Sequence, residues 1–310
     1  MRPRKLGESY NEHDHEIDQN CIEVLDKGFV RLVDMMGNDS SIAQAARVSY
    51  GEGTKKIHED IGLIRYLMRN KHTTPFEMVQ LKFHIKAPIF IFRQWHRSRT
   101  WSYNEYSGRY SIMKDEYYVP EEDKVTKQNP HNKQGGTNEI VPYEDIFTED
   151  LAGNSWLTEF EEEQKNIRAG YERKIASGMR KELARINLPL SQYSEMYASV
   201  NLHNLFHFLE LRLDDHAQYE TRVYGQAIKE IVKQKVPVAY QAFEEYILNS
   251  MQLTQLDQEV LRELAELTNS LNTKVTPTLI ESVCIVHFAN KREREECINK
   301  MTKLFLNTTK

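Results

Sequence analysis

The 310-residue sequence has few cysteines, few glycines and prolines, no long apolar run and no large charge of either sign. Its three cysteines, Cys21, Cys284 and Cys297, form no Cys-x-x-Cys pair, which gives no thiol metal site and fits a reducing cytoplasm. The 13 glycines and 9 prolines are too few for a collagenous or low-complexity chain. The longest strongly apolar run, residues 87–92, is far shorter than the roughly 20 residues that cross a bilayer, so we expect no membrane segment.

The charge balance argues against a general nucleic-acid binder. The formal net charge is -5, whereas such proteins usually carry a strongly basic surface. Hydrophobic residues make up 40% of the chain, which is enough to bury a sizeable core in one large domain or two small ones. The N-terminus is polar and lacks the apolar core of a signal peptide.

The chain is predicted to contain one main domain with a segment added at each end. Residues 1–20 form a polar extension, and residues 21–250 form the domain. Within that domain, residues of about 120–150 are rich in proline, glycine and asparagine and predict a long loop insertion. Residues 251–310 carry apolar side chains at helical spacing and predict a helical C-terminal extension.

The local patterns predict several strands and helices. Residues 78–86 alternate between apolar and polar side chains, which is typical of a half-buried strand, and a shorter strand is predicted at 22–26. Helices are predicted at 38–46, 57–69, 88–98, 154–177, 201–209, 215–235 and 238–248.

Residues 93–110 are the part of the sequence most suited to ligand chemistry. Few aliphatic side chains interrupt them, and they contain four arginines: Arg93, Arg97, Arg99 and Arg109. The guanidinium group matches phosphate oxygens with two parallel hydrogen bonds. Ser107 and Gly108 can bring backbone N–H groups close to an anion, and Glu105 can accept a hydrogen bond from a sugar hydroxyl. The segment therefore predicts a nucleotide site.

Two other interpretations of this segment remain open at this stage. It could be the solvated end of a surface helix. Composition alone favours this interpretation about as strongly as a nucleotide site. It could also bind single-stranded nucleic acid, with Trp95, Trp101 and Tyr103 stacking on bases, although the acidic total charge makes this the weakest interpretation.

The order of these residues resembles the signature of the flavin-dependent thymidylate synthases, the ThyX family. That signature is Arg-His-Arg, seven residues, then Ser, and here Arg97-Ser98-Arg99 precedes Ser107 at the same spacing. The similarity covers roughly residues 24–118 and 175–246. Further segments that resemble the family are residues 45–49, His72-Thr-Thr-Pro-Phe-Glu77, Ala184-Arg185 with Leu188-Pro-Leu190, and Leu211-Arg212-x-Asp214-x-His216-Ala-Gln218.

The resemblance implies both the fold and the reaction. The expected fold is α+β, a mixed sheet with long helices as in ThyX proteins, followed here by the helical C-terminal extension. The expected enzyme is a cytoplasmic homotetramer with active sites shared between subunits. It converts dUMP to dTMP with 5,10-methylenetetrahydrofolate as the methylene donor, NADPH as the reductant and FAD as the hydride source. A cysteine nucleophile is not expected.

The resemblance also implies site residues. Arg212 is the expected catalytic group, because a permanent cation can stabilise charge developing on the uracil ring. Ser107 is a second candidate, preferred as a hydrogen-bonding group over a nucleophile because no adjacent His–Asp pair is evident. The expected dUMP contacts are Gln94, Trp95, His96, Arg97, Glu105, Tyr106, Ser107, Gly108, Arg109, Arg185 and Arg212. The expected FAD contacts are His72, Thr74, Arg97, Ser98, Arg99, Thr100, Glu105, Asn201, Leu202, His203 and His207.

Two departures from the family pattern leave alternatives open. Ser98 stands where the family has histidine, and His203 stands where relatives can carry arginine. The chain could therefore be a catalytically impaired nucleotide-binding homologue, or it could methylate or hydroxymethylate another pyrimidine nucleotide.

A metallohydrolase is a second enzyme hypothesis. His203 and His207 are four residues apart on a predicted helix, with Asp214 and His216 downstream. The segment lacks the glutamate of the His-Glu-x-x-His motif, so no metal is expected.

Overall fold

The computed structural model describes residues 20–48, 58–130, 135–143 and 155–306. Almost all of the predicted polar extension, 1–20, lies outside these ranges. The chain divides into two compact units, Met1–Leu248 and Asn249–Lys310, and the division lies two residues before the predicted start of the extension. Within the described residues, no helix combines the length and apolar composition needed to cross a membrane.

In the described part of the first unit, five strands form one sheet in the order β1-β2-β3-β7-β4. They are β1 Cys21–Val24, β2 Gly28–Met36, β3 Gln80–Pro88, β4 Ser102–Glu105 and β7 Tyr193–Asn201. The α+β class is confirmed, but the sheet is antiparallel at each of these pairings, so the expectation of a mixed sheet is wrong. Alternation with a period of two fits either strand direction, so it carried no signal that could decide between them.

The helices of this unit confirm most of the start signals. They are α1 Asp39–Arg47, α2 His58–Arg69, α3 Thr74–Glu77, α4 Ile89–Trp95, α5 Trp156–Ala176, α6 Lys181–Ala184, α7 Leu202–Arg212, α8 Tyr219–Lys235 and α9 Pro237–Phe243. Asn38 caps α1 through a capping box, and Asn201 caps α7 by accepting from the Asn204 N–H. The helix predicted at 88–98 ends earlier, at Trp95.

Strand β3 positions the core and confirms the predicted alternation. Leu81, Phe83 and Ile85 are fully buried on one face, while Lys82 and Lys86 on the other are half-buried; His84, between these lysines, departs from the pattern because it is buried. The buried face belongs to one cluster with side chains from α7, α8 and α9. Burying each such side chain contributes about 1.5–3 kcal/mol, so this face fixes β3 against the helices.

The segment at 120–150 is not the structureless loop that was predicted. Its described residues include β5 Thr126–Gln128 and β6 Gly136–Ile140, which pair antiparallel in a separate two-stranded sheet. Each strand is short and exposed, so neither carries the apolar alternation that reveals a buried strand. The residues 131–134 and 144–150 of the predicted insertion lie outside the described ranges.

The second unit is helical and has its own core. It contains α10 Gln255–Leu271, α11 Pro277–His287 and α12 Lys291–Phe305. Val260, Leu264, Ile280 and Met301 are fully buried in it. A Thr254–Asp257 capping box begins α10, and Asn272 ends it in the left-handed conformation.

Candidate active site

The first group of predicted site residues lies in the turn after α4. The Tyr103 hydroxyl donates to the carbonyl of Ser98 at 2.8 Å and fixes this turn against β4. The ring of His96 contacts the Tyr103 ring edge to face, with centroids 4.9 Å apart. Arg97 and Arg99 are exposed, and neither forms an ion pair with a described carboxylate. The turn therefore presents two guanidinium groups that are free to bind an anion.

Burial limits two of the predicted contacts to backbone atoms. Trp95 is fully buried and stacks on Phe208 with centroids 4.9 Å apart, so its side chain packs in the core and cannot touch a ligand. Leu202 is also fully buried, which leaves only its backbone for a contact. Trp101 is 6% exposed, so the nucleic-acid interpretation loses two of its three stacking rings. The sequence suggested a surface segment because its many charges masked these inward positions.

Most of the predicted flavin residues lie toward the end of the sheet where β3 and β4 begin and β7 ends, whereas Glu105 lies at the other end of β4. Gln80 pairs with Asn201, and Ser102 pairs with Ser199. Thr74 begins α3, which contacts α7, and Arg99 and Thr100 lie just before β4. Helix α7 begins after Asn201 and carries His203 and His207. Its N-terminus adds a positive dipole end to the nearby guanidinium groups.

A second group lies at the other end of β4, about 10 Å along the strand. Glu105 is half-buried, and the Ser194 hydroxyl donates to its Oε1 at 2.9 Å. The backbone N–H of Tyr106 donates to the Glu195 carbonyl at 2.8 Å and continues the strand contact. The glutamate is thereby held with one oxygen bound and the other available to a ligand.

Gly108 and Arg185 lie against each other in this second group. A Cβ on Gly108 would come within 2.9 Å of the Arg185 Cδ, so a larger residue here would displace the Arg185 side chain. The Arg109 guanidinium group pairs with the Glu182 carboxylate at 3.2 Å. The backbone N–H of Arg109 donates to the Ser107 hydroxyl at 3.3 Å. The structure thus brings Ser107, Gly108, Arg109 and Arg185 together as a second cationic group.

A third group joins the end of α7 to α4 and the start of α8. Arg212 donates to the backbone carbonyl of Gln94 at 3.0 Å, and the Gln94 side chain donates to Gln218 at 2.5 Å. Burial lowers the pKa of the half-buried Arg212, and its Nε is buried with no hydrogen-bond partner. No described carboxylate pairs with Arg212. An unsatisfied buried donor of this kind is suited to a ligand oxygen.

These three residues line a cleft of about 1380 Å³. The β5–β6 hairpin forms its opposite wall, together with Lys124 and Tyr219. Lys124 lies 4.7 Å from the centre of the Tyr219 ring. The cleft is large enough for a nucleotide-sized molecule.

The metal hypothesis gains no support from the described residues, among which no group of three or more His, Cys, Asp or Glu side chains is placed to hold a metal. His207 lies 3.7 Å from Glu210, and His216 contacts Asp214 at 2.8 Å. His207 and His216 are therefore in separate local pairs.

Sequence reasoning missed several residues that hold the site. Ser194 and Glu195 lie on β7, a strand that was not predicted because its buried face includes Ser194 and Ala198 and reads as weakly apolar. His84 accepts from Arg31 at 3.1 Å on one ring nitrogen and contacts Glu195 at 2.9 Å with the other. That histidine contact lowers the pKa of Glu195 to about 2, and Lys114 adds to the effect. The sequence signal that could have pointed to these contacts was the set of charged residues on the polar face of β3.

The fold and these arginine-rich groups define an α+β protein suited to bind small anionic molecules. A family model described as "Thymidylate synthase complementing protein" matches residues 31–238. The flavin-dependent thymidylate synthase of Treponema denticola is 51% identical over 242 residues, which cover 78% of this chain and 88% of that protein. The one from Thermus thermophilus is 51% identical over 243 residues, covering 78% and 85%.

Solved structures give the same answer. The UMP/dUMP methylase PolB from Streptomyces cacaoi, bound with 5-Br dUMP, is 31% identical with a TM-score of 0.62. The match covers 74% of this chain and all of that one. The chain therefore belongs to the flavin-dependent thymidylate synthase family. The family and the methyltransferase class predicted from the motifs are confirmed.

Proposed function

We propose that this chain methylates dUMP to dTMP, with 5,10-methylenetetrahydrofolate as the methylene donor, NADPH as the reductant and FAD as the flavin. The observation that supports this proposal is the state of Arg212. Its guanidinium group is half-buried, its Nε has no hydrogen-bond partner, and no described carboxylate pairs with it. A cation kept in that state in a large cleft is expected to meet an electron-rich ligand group. Cytoplasmic localisation is part of the same proposal.

The dUMP phosphate is assigned to the second cationic group. Arg109 and Arg185 supply charge, while Ser107 and Gly108 supply donors close to the backbone. Glu105, bound through one oxygen to Ser194, is assigned to the sugar. Ser107 acts as a hydrogen-bond donor, because its described contacts include no histidine that could remove its proton.

Arg212 and Gln94 are assigned to the uracil ring. The guanidinium group stabilises negative charge that develops on a ring carbonyl when carbon 5 becomes nucleophilic. The contact between Arg212 and the Gln94 carbonyl holds the cation in place before the ligand arrives. This positioning is what lets a fixed charge lower the barrier.

The residues present fit a flavin dinucleotide. Arg97, Arg99 and the start of α7 supply positive charge for a pyrophosphate, and Asn201, His203 and Thr74 supply polar contacts. Bound FAD supplies the hydride chemistry that no side chain can perform. Ser98 removes the imidazole of the family signature, but the two flanking arginines remain.

We further propose that two or more copies complete each active site in a homotetramer. The first group of residues, assigned mainly to FAD, and the second group, assigned to the dUMP phosphate, lie at opposite ends of β4. One copy of the chain therefore does not enclose both ligands. A neighbouring copy that brings its second group to the first would close the site.

Tritium release from dUMP labelled at carbon 5 tests the proposal, because methylation must replace that hydrogen. Full activity is expected with dUMP, folate donor, NADPH and FAD, and omission of any one should stop release. Arg262 is an exposed residue of the second unit, and Arg262→Ala serves as the matched control for Arg212→Ala. Absence of release from the complete mixture would remove the proposed reaction.

A related acceptor is the second candidate. PolB is described as a UMP/dUMP methylase and has also been solved with 5-Br UMP. Parallel assays with labelled UMP and dUMP separate the two acceptors. We expect dUMP to be used at least tenfold faster, and faster turnover of UMP would favour the alternative.

A further inference from the structure

The second unit contains a pair of thiols that no part of the proposed reaction uses. Cys284 on α11 and Cys297 on α12 are both fully buried, and their sulfur atoms lie 3.4 Å apart. A disulfide bond is about 2.05 Å long, so the two sulfurs need to approach by about 1.4 Å. The cysteines are 13 positions apart in sequence and lie on consecutive helices. A bond between them would therefore join two neighbouring helices.

A charged pair beside the thiols sets this place apart from ordinary apolar packing. Asp257 at the start of α10 is 2% exposed and accepts from Lys300 of α12 at 2.6 Å. The same carboxylate also contacts the Cys297 thiol. After burial, the hydrogen bond to this carboxylate is a further cause that raises the pKa of the Cys297 thiol, so the contact keeps the thiol protonated while the unit is closed.

The closed core protects the reduced form. Burial raises the pKa of the Cys284 thiol, and burial also raises the pKa of the Cys297 thiol. The reactive thiolate is therefore scarce while the three helices are packed. Reaction requires a local opening of α11 and α12, and reclosure returns the two sulfurs to contact.

We propose that Cys284 and Cys297 form a reversible disulfide that links α11 to α12, with a small-molecule disulfide such as oxidised glutathione as the oxidant. One protein thiolate attacks the oxidant and displaces one glutathione thiol, leaving a mixed disulfide. The second protein thiolate attacks that bond and displaces the second glutathione thiol. Two S–H bonds break and one protein S–S bond forms, while two electrons and two protons pass to glutathione.

The test uses the full chain with Cys21→Ser, so that the pair supplies the only thiols. Samples are equilibrated in reduced and oxidised glutathione, alkylated under denaturing conditions and mapped by mass spectrometry. The expected product is 2 Da lighter, carries no alkyl group and contains one peptide that joins the two cysteines. Dithiothreitol should restore both alkylation sites. Two alkylated thiols at the oxidising end, or a separate glutathione adduct on each cysteine, would overturn the proposal.

A second measurement shows whether the bond suits the folded unit. Hydrogen exchange in α11 and α12 should be slower in the oxidised chain than in the reduced chain, because the cross-link restrains opening. The matched control is Cys284→Ser/Cys297→Ser, which has no thiol at the pair, and oxidation should leave its exchange unchanged. Exchange that is unchanged or faster in the oxidised parent would mean that the bond forms only by distorting the core, and would overturn the proposal. Neither readout depends on thymidylate synthase activity.

Discussion

Replacing Arg212 with alanine is expected to remove catalysis while the chain stays folded. The structural losses are small: one hydrogen bond to the Gln94 carbonyl and one contact over the Phe208 ring, 5.8 Å from the guanidinium carbon. These contribute about 1 kcal/mol each. A loss of about 2 kcal/mol leaves a domain of ordinary stability folded.

The catalytic loss should be much larger. Removal of one preorganised donor from an active site typically costs a factor of about 10² to 10³ in kcat. Arg212→Lys keeps the charge but loses the planar fork, so it should fall between the parent and the alanine variant. Tritium release measures kcat, and urea unfolding measures stability. Tritium release by Arg212→Ala within threefold of the parent would refute the assigned role.

Three other changes test separate contacts. Ser98→His is expected to tighten FAD binding in a fluorescence titration, because it restores the ring of the family signature; loss of binding would indicate a rearranged pocket. Ser194→Ala should raise KM for dUMP about tenfold by freeing Glu105, with recovery in Ser194→Thr; equal KM values would remove this support. The pKa of Glu195 lies at about 2 against an ordinary 4.5, so its stabilising effect is complete above about pH 4.5 and is lost as pH falls toward 2. The free energy of unfolding of the parent, measured with urea, should therefore fall by up to about 3 kcal/mol more over this interval than that of Glu195→Gln, and parallel curves would contradict the proposed stabilisation of the carboxylate by His84 and Lys114.

The local signals predicted those elements that carry a recognisable pattern within their own residues. The alternation around β3 and the side-chain caps at Asn38 and Asn201 are short-range features, and each marked an element that the structure contains. Strand β7 escaped detection because its position between β3 and β4 is set by long-range pairing, while Ser194 and Ala198 weaken its apolar pattern. Strand direction and the two strands of the hairpin also depend on partners distant in sequence.

In the site, too, the sequence predicted which residues take part but did not predict which of them are buried. The identities of Arg97, Arg109 and Arg212 could be taken from the motif order, because the chemistry of a guanidinium group does not depend on its neighbours. Burial could not be read in this way. Trp95 lies two positions from both Arg93 and Arg97 in sequence, yet its position on α4 turns it toward Phe208 and the core. Supporting contacts such as Ser194 to Glu105 require two strands to meet and were therefore invisible in the sequence.

The most direct test of the central claim is the visible absorbance of the purified chain with FAD, followed without oxygen as NADPH is added, in the presence and absence of dUMP. The account predicts a bound-flavin spectrum that NADPH bleaches and that dUMP alters, since both ligands are assigned to one site. If the protein binds no flavin even with FAD in excess, Ser98 has abolished the cofactor site and the proposed reaction is contradicted.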